Sequence, residues 1–425
     1  MTLKVALIDN MNNNFFAIAR YLRDLGVDAH VYLIPGDSHA HFLPQTDTFA
    51  DVGSLDWVRQ LPLPYAPSSF YKLQRLRPLL EPYDLIVTCG PSVGLLWRAG
   101  IRTDVFVPYG ADLYDTPFVE RQRARVNGLR SLGVFLLWSR PLARAQFAGI
   151  RNSRLVIYND NWSIAAEAMA RIGATGLALP RLMVYNKEPP GDPAAWEFLR
   201  RHDFVVFSQT RQYWATDHDQ LHDFAEHGGL KRNDKLIRAF ARFVRATSYR
   251  SPLLVLFEFG WDVDASKRLI AECGIEANVV WMPLMDRKTI MTGVRFASLG
   301  ADQFRHGWSG TSGGTGSEIM AAGVPLITYT NGASSDPKDP FFQAPICDVL
   351  HEDQIYEVLR DYERDPDKYA ALGRRTAAWF DEHLGSGLAA RYLRVFEHLA
   401  QHREQRVRLD ELHSALGAGA VRTIA

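Results

Sequence analysis

The sequence DQFRHGWSGTSGGTGSEIMAAGVPLIT, residues 302–328, is the strongest indicator of how this chain is built. A strand-like end runs into a glycine-rich loop, a short helix is predicted to begin near Ser317 and Glu318, and an apolar strand follows at Leu326–Thr328. Glycines let backbone N–H groups approach a ligand, and a helix N-terminus adds partial positive charge, so this junction suits a phosphate. Because Glu318 is itself an anion, we expect it to bind a group beside the phosphate, such as sugar hydroxyls.

Two well-known phosphate-binding motifs are missing from the sequence. No GxxxxGK[ST] run is present, which excludes a P-loop nucleotide hydrolase. The first predicted strand, LKVALIDN, is followed by MNNNFF and not by GxGxxG, which disfavours a dinucleotide-binding Rossmann enzyme. A glycine-rich loop alone is a weak signal, since many such loops are only turns.

Strand-like and helix-like segments alternate along most of the chain. The strands predicted from short apolar runs are Val5–Ile8, Ala29–Leu33, Tyr83–Val87, Val105–Val107, Leu155–Ile157, Phe204–Phe207, Leu253–Phe257, Val279–Met282 and Leu326–Thr328. Helices are predicted at Ala17–Leu25, Asp234–Arg245 and Ala265–Cys273, and the chain from Asp353 onward is mostly helical. This alternation predicts an α/β protein with parallel sheets covered by helices on both faces.

A proline-rich segment, KEPPGDP at residues 187–193, interrupts the alternation and is the best candidate for a linker. It divides the chain into a domain of residues 1–186 and a domain of residues 187–385. Two doubly wound domains joined in this way are expected to hold a ligand cleft between the carboxyl ends of their sheets.

Composition is that of a soluble globular protein. The chain has 425 residues, of which 47% are hydrophobic and 23% charged, and Lys+Arg and Asp+Glu are balanced at 48 each. Three widely spaced cysteines, Cys89, Cys273 and Cys347, form no zinc-binding or disulfide pattern, which favours a reducing cytoplasm. The N-terminus is not expected to be a signal peptide, and the longest apolar runs are too short to span a bilayer.

Two blocks in the second half resemble the GT-B glycosyltransferases of the retaining family 4 (group 1) type. The first block is SQTR at 208–211 with KRNDKLIRAF at 231–240, which is similar to the family's arginine after a strand and its K-G-x-x-x-L-I-x-A-F run. The resemblance implies that Arg211 and Lys231 bind the donor diphosphate. Arg232 stands where the family usually has glycine, and the insert between the two basic positions is long.

The second block, GSEIMAAGVPLI, is similar to the family's E-A-M-A-x-G-x-P signature. Glu318 falls on the second glutamate of the family's pair, which implies a contact with ribose hydroxyls, whereas the first glutamate falls on Gly310 and is absent. The resemblance implies a catalytic set of Arg211, Lys231 and Glu318. The donor-binding candidates around them are His306, Gly313, Gly314, Thr315, Gly316 and Ser317, although His306 also fits a structural histidine.

The first half carries weaker matches to the same family. The segment PYGADL at 108–113 resembles the family's H-G-x-D-L, with Tyr109 in place of a common histidine, and Asn12, Asn13 and Asn14 occupy the loop after the first strand. These three asparagines, Tyr109 and Asp112 are the candidates on the acceptor side. Structural roles fit them as well: a capping turn for the asparagines, and packing or loop anchoring for Tyr109 and Asp112.

The resemblance implies a GT-B architecture, two Rossmann-like domains with the last helices (residues 386–425) crossing back to the first domain. It implies a retaining transfer of a hexose-type sugar from a UDP- or GDP-linked donor to a glycan or lipid-linked acceptor, as in polysaccharide or lipopolysaccharide biosynthesis, without metal or other cofactor and without nucleic acid. Two alternatives remain open: a sugar-nucleotide 2-epimerase on the same fold, and a non-catalytic sugar-nucleotide-binding or scaffold protein.

The segment 120–154 is basic and partly apolar. It carries eight arginines, one glutamate and no lysine, around the apolar run VFLLW at 134–138. Such a segment fits docking on an anionic lipid surface, as in a peripheral protein on the inner face of the plasma membrane. A helix pair that covers the sheet with a solvated basic face fits equally well.

Overall fold

The chain folds into two compact units. The first is formed by Met1–Tyr185 together with Ser386–Ala425, and the second by Asn186–Gly385. The computed structural model describes residues 2–35, 43–47, 52–158, 163–215, 230–305, 313–332, 341–403, 405 and 407–416.

The first unit is built on a seven-stranded sheet in the order β3-β2-β1-β4-β5-β6-β7, and every adjacent pair is parallel. The strands are β1 (Lys4–Ile8), β2 (Asp28–Leu33), β3 (Val58–Gln60), β4 (Leu85–Thr88), β5 (Val105–Phe106), β6 (Leu155–Tyr158) and β7 (Gly176–Ala178). The strands β5 and β6 are buried throughout, and β1 and β4 are buried except at Lys4 and Ile86, as expected for a parallel sheet covered on both faces.

Helices surround this first sheet. They are α1 (Asn14–Asp24), α2 (Leu76–Leu80), α3 (Ser92–Arg98), α4 (Ala111–Tyr114), α5 (Val119–Ala124), α6 (Leu129–Val134), α7 (Arg140–Asn152) and α8 (Ser163–Ile172), with a π-helix at Phe135–Ser139 between α6 and α7. The carboxyl-terminal part of the chain returns to this unit, where Leu388, Tyr392 and Phe396 join the core that also contains α1.

The second unit is built on a six-stranded parallel sheet in the order β10-β9-β8-β11-β12-β13. Its strands are β8 (Phe204–Ser208), β9 (Pro252–Phe257), β10 (Val279–Met282), β11 (Leu299–Ala301), β12 (Leu326–Thr328) and β13 (Cys347–Asp348). Its helices are α9 (Asn233–Ala246), α10 (Val263–Cys273), α11 (Arg287–Val294), α12 (Gly314–Ala321), α13 (Glu352–Arg364) and α14 (Pro366–His383). The helices α15 (Ser386–Gln401) and α16 (Leu409–Leu416) belong to the first unit.

The α/β class and the doubly wound parallel sheets predicted from the sequence are therefore confirmed. Each sheet reverses its winding direction at one point, between β1 and β4 in the first unit and between β8 and β11 in the second. In open parallel sheets, ligands bind outside the carboxyl ends of the two strands that flank this point.

The predicted start of the helix after the glycine-rich loop is wrong. The helix expected to begin near Ser317 and Glu318 begins at Gly314, with Gly313 as its N-cap. Glycine and threonine are weak helix formers, and the burial of Gly316, Ser317 and Ile319 in this helix overrides that local preference. The carboxylate of Glu318 therefore lies in the second turn, beyond the terminus where the helix dipole would favour it.

Candidate functional site

The winding point of the second sheet brings together two sequence segments that are far apart in the chain. Gln209, Thr210 and Arg211 directly follow β8, and residues 302–305 directly follow β11, the strand paired with β8. Arg211 was expected here from the sequence, whereas the basic residue Arg305, at the end of the second segment, was not.

Backbone hydrogen bonds hold Lys231 between these two segments. Its N–H donates to the Tyr213 carbonyl at 2.7 Å, and its carbonyl accepts from the Phe304 N–H at 3.0 Å. The ammonium Nζ then donates to Gln303 Oε1 at 2.6 Å. The structure thus places Lys231 at the winding point, 20 residues along the chain from Arg211.

Three cations share this region. Burial lowers the pKa of the Lys231 ammonium most, the Asp302 carboxylate raises it, and Arg211 and Arg305 lower it. Burial also lowers the pKa of both arginine guanidinium groups. Three cations and one carboxylate leave a formal charge of +2, which matches the two negative charges of a diphosphate diester.

Glu318 is held on both of its carboxylate oxygens. Arg287 Nε donates to Oε1 at 2.8 Å, and Gln209 Nε2 donates to Oε2 at 3.0 Å. The Arg287 and Glu318 side chains are only 17% and 11% exposed, so the pair is well shielded from water. Two fixed donors orient the carboxylate, which leaves its remaining lone pairs for hydroxyl groups of a ligand.

The glycine-rich loop meets the cation cluster at Gly313. A Cβ atom placed on Gly313 would lie 4.0 Å from both Lys231 Nζ and Asp302 Oδ2, and one on Gly314 would meet nothing within 4 Å. The carbonyl of Thr315 accepts from Gln209 Nε2 at 3.4 Å, while Gly316 and Ser317 are buried in α12. The N-terminal turn of α12 therefore adjoins Lys231, where its N–H groups suit a phosphate.

Asp302 is a buried carboxylate beside the cation cluster. Its Oδ1 accepts from Thr210 Oγ1 at 3.1 Å, and the residue is only 1% exposed. Within the described part of the chain its second oxygen, Oδ2, is buried and has no hydrogen-bond donor.

Arg232, which replaces the glycine usual in the resembled family, adopts a left-handed conformation with φ of 59°. Glycine takes this conformation at little cost, whereas other residues are strained. Here the Arg232 guanidinium donates two hydrogen bonds to Asp234, at 2.9 and 2.8 Å, which offset part of the strain.

On the acceptor side, the contacts of Asp112 are those of a loop anchor. Its carboxylate accepts from the backbone N–H groups of Gly90, Tyr109 and Gly110 at 2.8 to 3.0 Å. Tyr109 is 6% exposed, packs edge-on against Phe15 and has a raised phenol pKa because of its burial. These contacts fit the structural roles that the sequence left open for Tyr109 and Asp112.

The three asparagines after β1 differ in exposure. Asn12 and Asn13 are both left-handed, with φ of 55° and 58°, and Asn14 is the buried first residue of α1. The Asn13 amide donates to the Leu43 carbonyl and to Thr46 Oγ1. Asn12 is exposed, whereas Asn13 and Asn14 are buried.

His306 and Gly310 lie outside the described residues. Within the described ranges, no group of three or more His, Cys, Asp and Glu side chains is arranged to hold a metal ion. None of the described helices has the length and apolar character needed to cross a bilayer.

Comparison with solved structures identifies the architecture. The Anabaena protein Alr3699/HepE in complex with UDP-glucose is 15% identical, with a TM-score of 0.57 over 93% of this chain and 100% of its own. Sucrose-phosphate synthase from Thermosynechococcus elongatus is 15% identical, with a TM-score of 0.55 over 93% of this chain and 99% of its own. This chain has the GT-B fold.

A third GT-B structure, an α-glucosyltransferase in complex with UDP and DNA, is 11% identical, with a TM-score of 0.57 over 93% of this chain and 99% of its own. No protein-family model matches the sequence, and no curated protein matches it. The likeness therefore shows the GT-B fold, and the reaction has to be argued from the site.

Sequence reasoning missed four residues of this site: Gln209, Arg287, Asp302 and Arg305. Gln209 and Asp302 directly follow buried strands, and Arg305 lies four residues after one, which is a usable signal because the carboxyl ends of neighbouring parallel strands meet at one edge. Arg287 carries no such signal, since its contact with Glu318 depends on how α11 packs beside α12.

Proposed function

We propose that this protein is a retaining glycosyltransferase that moves a hexose-type sugar from a UDP- or GDP-linked donor to a glycan or lipid-linked acceptor. The observation that carries the proposal is the half-buried cation cluster of Arg211, Lys231 and Arg305 at the winding point of the second sheet. The adjoining N-terminus of α12 and the oriented carboxylate of Glu318 support it, because a nucleotide sugar has both a diphosphate and ribose hydroxyls.

The cluster suits departure of a nucleoside diphosphate. As the bond between the sugar C1 and the phosphate oxygen breaks, negative charge grows on the diphosphate, and fixed cations stabilise that charge without reorganising. Lys231 makes one hydrogen bond among the described residues, to Gln303, so its ammonium keeps donors for phosphate oxygens. Arg211 and Arg305 add positive charge from the carboxyl ends of both flanking strands.

In the proposed reaction the acceptor hydroxyl attacks C1 on the face from which the diphosphate leaves, and its proton passes to a phosphate oxygen. The sugar keeps its anomeric configuration, and no protein nucleophile is needed. Glu318 binds the ribose, which fixes the diphosphate relative to the cations.

A transfer assay tests this proposal. The purified protein is incubated with UDP-glucose, UDP-galactose, UDP-N-acetylglucosamine or GDP-mannose and a panel of glycan and lipid-linked acceptors, and released nucleoside diphosphate is measured. We expect acceptor-dependent release with one donor and a product of unchanged anomeric configuration by NMR. Acceptor-independent release of an epimerised sugar nucleotide would favour the epimerase, and an inverted product would contradict the retaining mechanism.

We further propose that the first unit docks on an anionic membrane surface, which would bring it to a lipid-linked acceptor. Four large aliphatic side chains in α6 and the π-helix that follows it are exposed: Leu129 (89%), Leu137 (72%), Val134 (53%) and Leu136 (46%). Exposed arginines surround them in the sequence, at positions 123, 125, 130 and 144. Exposed aliphatic groups among cations complement lipid tails and anionic headgroups.

Vesicle flotation tests the docking. The protein should float with phosphatidylglycerol vesicles but not with phosphatidylcholine vesicles, and Leu137→Glu should abolish flotation. Leu284→Glu is the matched control, because Leu284 is also exposed (63%) but lies in the second unit. Equal flotation of the two variants would refute the assignment of this surface.

A further inference from the structure

Asp302 is the feature of the site that a diphosphate alone does not explain. Its Oδ2 atom is buried and has no hydrogen-bond donor among the described residues. Buried polar atoms in proteins nearly always have a partner, and a buried carboxylate oxygen without one is costly. A carboxylate in this state points to a ligand that donates a hydrogen bond.

Asp302 Oδ2 and Lys231 Nζ both lie close to Gly313. The bond from Thr210 Oγ1 to Oδ1, at 3.1 Å, fixes the carboxylate, and Oδ2 lies 4.0 Å from a Cβ built on Gly313. Lys231 Nζ lies at the same 4.0 Å from that point. The described residues show no ion pair between these two groups, and the ammonium donates to Gln303, so Oδ2 and two donors of the ammonium lie beside Gly313 without a described partner.

The presence of an ammonium and a carboxylate side by side restricts the chemistry of the ligand. Phosphate oxygens only accept hydrogen bonds, so they satisfy Lys231 but are repelled by Asp302. A hydroxyl group donates and satisfies Asp302. The ligand must therefore present a hydroxyl within a few ångströms of an anionic phosphate, which is the arrangement in a sugar attached to a diphosphate.

We infer that Asp302 accepts a hydrogen bond from a hydroxyl of the sugar being transferred and so determines which sugar nucleotide is bound. The inference rests on the proposed function, because it takes the cation cluster as the diphosphate site. In this arrangement Asp302 recognises the sugar, whereas Lys231 and Glu318 bind the nucleotide.

A divalent cation is the competing occupant, because carboxylates beside diphosphates also hold magnesium. The charges around Asp302 disfavour it, because the three cations Arg211, Lys231 and Arg305 already lie in this region. A further dication would add to that repulsion.

The test is calorimetric titration of the wild-type protein and Asp302→Asn with UDP, GDP and the corresponding sugar nucleotides. We expect the variant to bind the free nucleoside diphosphate as tightly as wild type or more tightly, because one negative charge is lost. Its affinity for the preferred sugar nucleotide should fall about 10- to 100-fold, the range for a hydrogen bond to a charged group.

Asp348→Asn is the matched control. Asp348 lies at the end of β13 in the same sheet, and both its carboxylate oxygens accept from Thr330, so the control should leave every affinity unchanged. If Asp302→Asn does not fold, Thr210→Val replaces it. That variant removes the bond that orients Asp302 but not the charge, and should weaken sugar-nucleotide binding alone.

Four results would overturn the inference. Equal loss of nucleoside diphosphate and sugar nucleotide affinity, or no change in either, would show that Asp302 does not contact the sugar while the proposed function stands. A loss seen only with magnesium present would assign Asp302 to a cation. Failure of the wild-type protein to bind any of the nucleotides would overturn the proposed function and this inference together.

Discussion

Replacing Lys231 by methionine removes the buried charge and keeps most of the side-chain length. Lys231 Nζ donates to Gln303 at 2.6 Å, which leaves two of the three ammonium donors for phosphate oxygens. Losing one charge-assisted hydrogen bond, worth about 1.5–3 kcal/mol, should weaken nucleoside diphosphate binding about 10- to 150-fold. Turnover should fall about 100- to 1,000-fold, because the charge on the diphosphate grows in the transition state.

Calorimetric titration with UDP and GDP, together with initial rates, measures both losses. Lys267→Met is the control, since Lys267 is exposed and pairs with Glu258 at 2.7 Å in the same unit. In the ligand-free variant, removal of the desolvated charge should stabilise the fold, whereas loss of the hydrogen-bond partner of Gln303 should destabilise it. The melting temperature of the variant should therefore stay within about 4 °C of the wild-type value. A folded variant that binds the nucleotide as tightly as wild type would refute the reasoning.

The same substitution has a pH signature. Burial lowers the pKa of Lys231 in the folded protein below its value in the unfolded chain. The charged ammonium therefore lowers the free energy of unfolding of the ligand-free protein at neutral pH. This loss of stability disappears as the pH rises from the pKa of the folded state to that of the unfolded state. Nucleotide binding needs the ammonium, so affinity should decrease over the same alkaline range in wild type and not in Lys231→Met. Parallel pH profiles for the two proteins would contradict the role of this ammonium.

Three further predictions concern the second unit. Arg287→Ala should weaken nucleoside diphosphate binding about tenfold, because Glu318 loses a charged donor at 2.8 Å; equal affinity by titration would argue against this positioning role. Gly260→Ala should lower the unfolding free energy by more than about 2 kcal/mol in denaturant titrations, because a Cβ there lies 2.2 Å from the Gln212 carbonyl oxygen at a φ of +112°. Burial raises the pKa of Cys347 to about 12, so iodoacetamide at pH 8 should label it in the unfolded protein and not in the folded one, as read by mass spectrometry.

Much of the fold could be predicted because its strands are short, apolar and bounded by polar residues. Val279–Met282 and Leu326–Thr328 are strands at the predicted residues. Helix starts were harder. The first helix begins at Asn14, three residues before the predicted start, because the Asn10 side chain accepts from the Phe16 N–H and supports the first turn. The helix propensity of individual residues does not predict such contacts with a preceding loop or with the rest of the fold.

The site was only partly accessible from the sequence. Arg211 and Lys231 could be named from local motifs, and the structure places both at one winding point. Arg305 and Arg287 could not, because their relevance depends on which strands are neighbours and on how two helices pack. The sequence has glycine at position 310, where the resembled family has a glutamate. Only the three-dimensional arrangement shows that another carboxylate, Asp302, lies near Gly313 as Lys231 does.

The central claim is that the second unit binds a nucleoside diphosphate through Lys231 and Glu318, and a thermal-shift titration with UDP, GDP and ADP tests it most directly. A ligand at one hundred times its dissociation constant stabilises a protein by about 2.7 kcal/mol, which for a domain of this size raises the melting temperature by about 5–10 °C. We predict such a rise with one nucleotide and its loss in Lys231→Ala and Glu318→Ala. No rise with any of the three nucleotides, or an undiminished rise in both variants, would contradict the account.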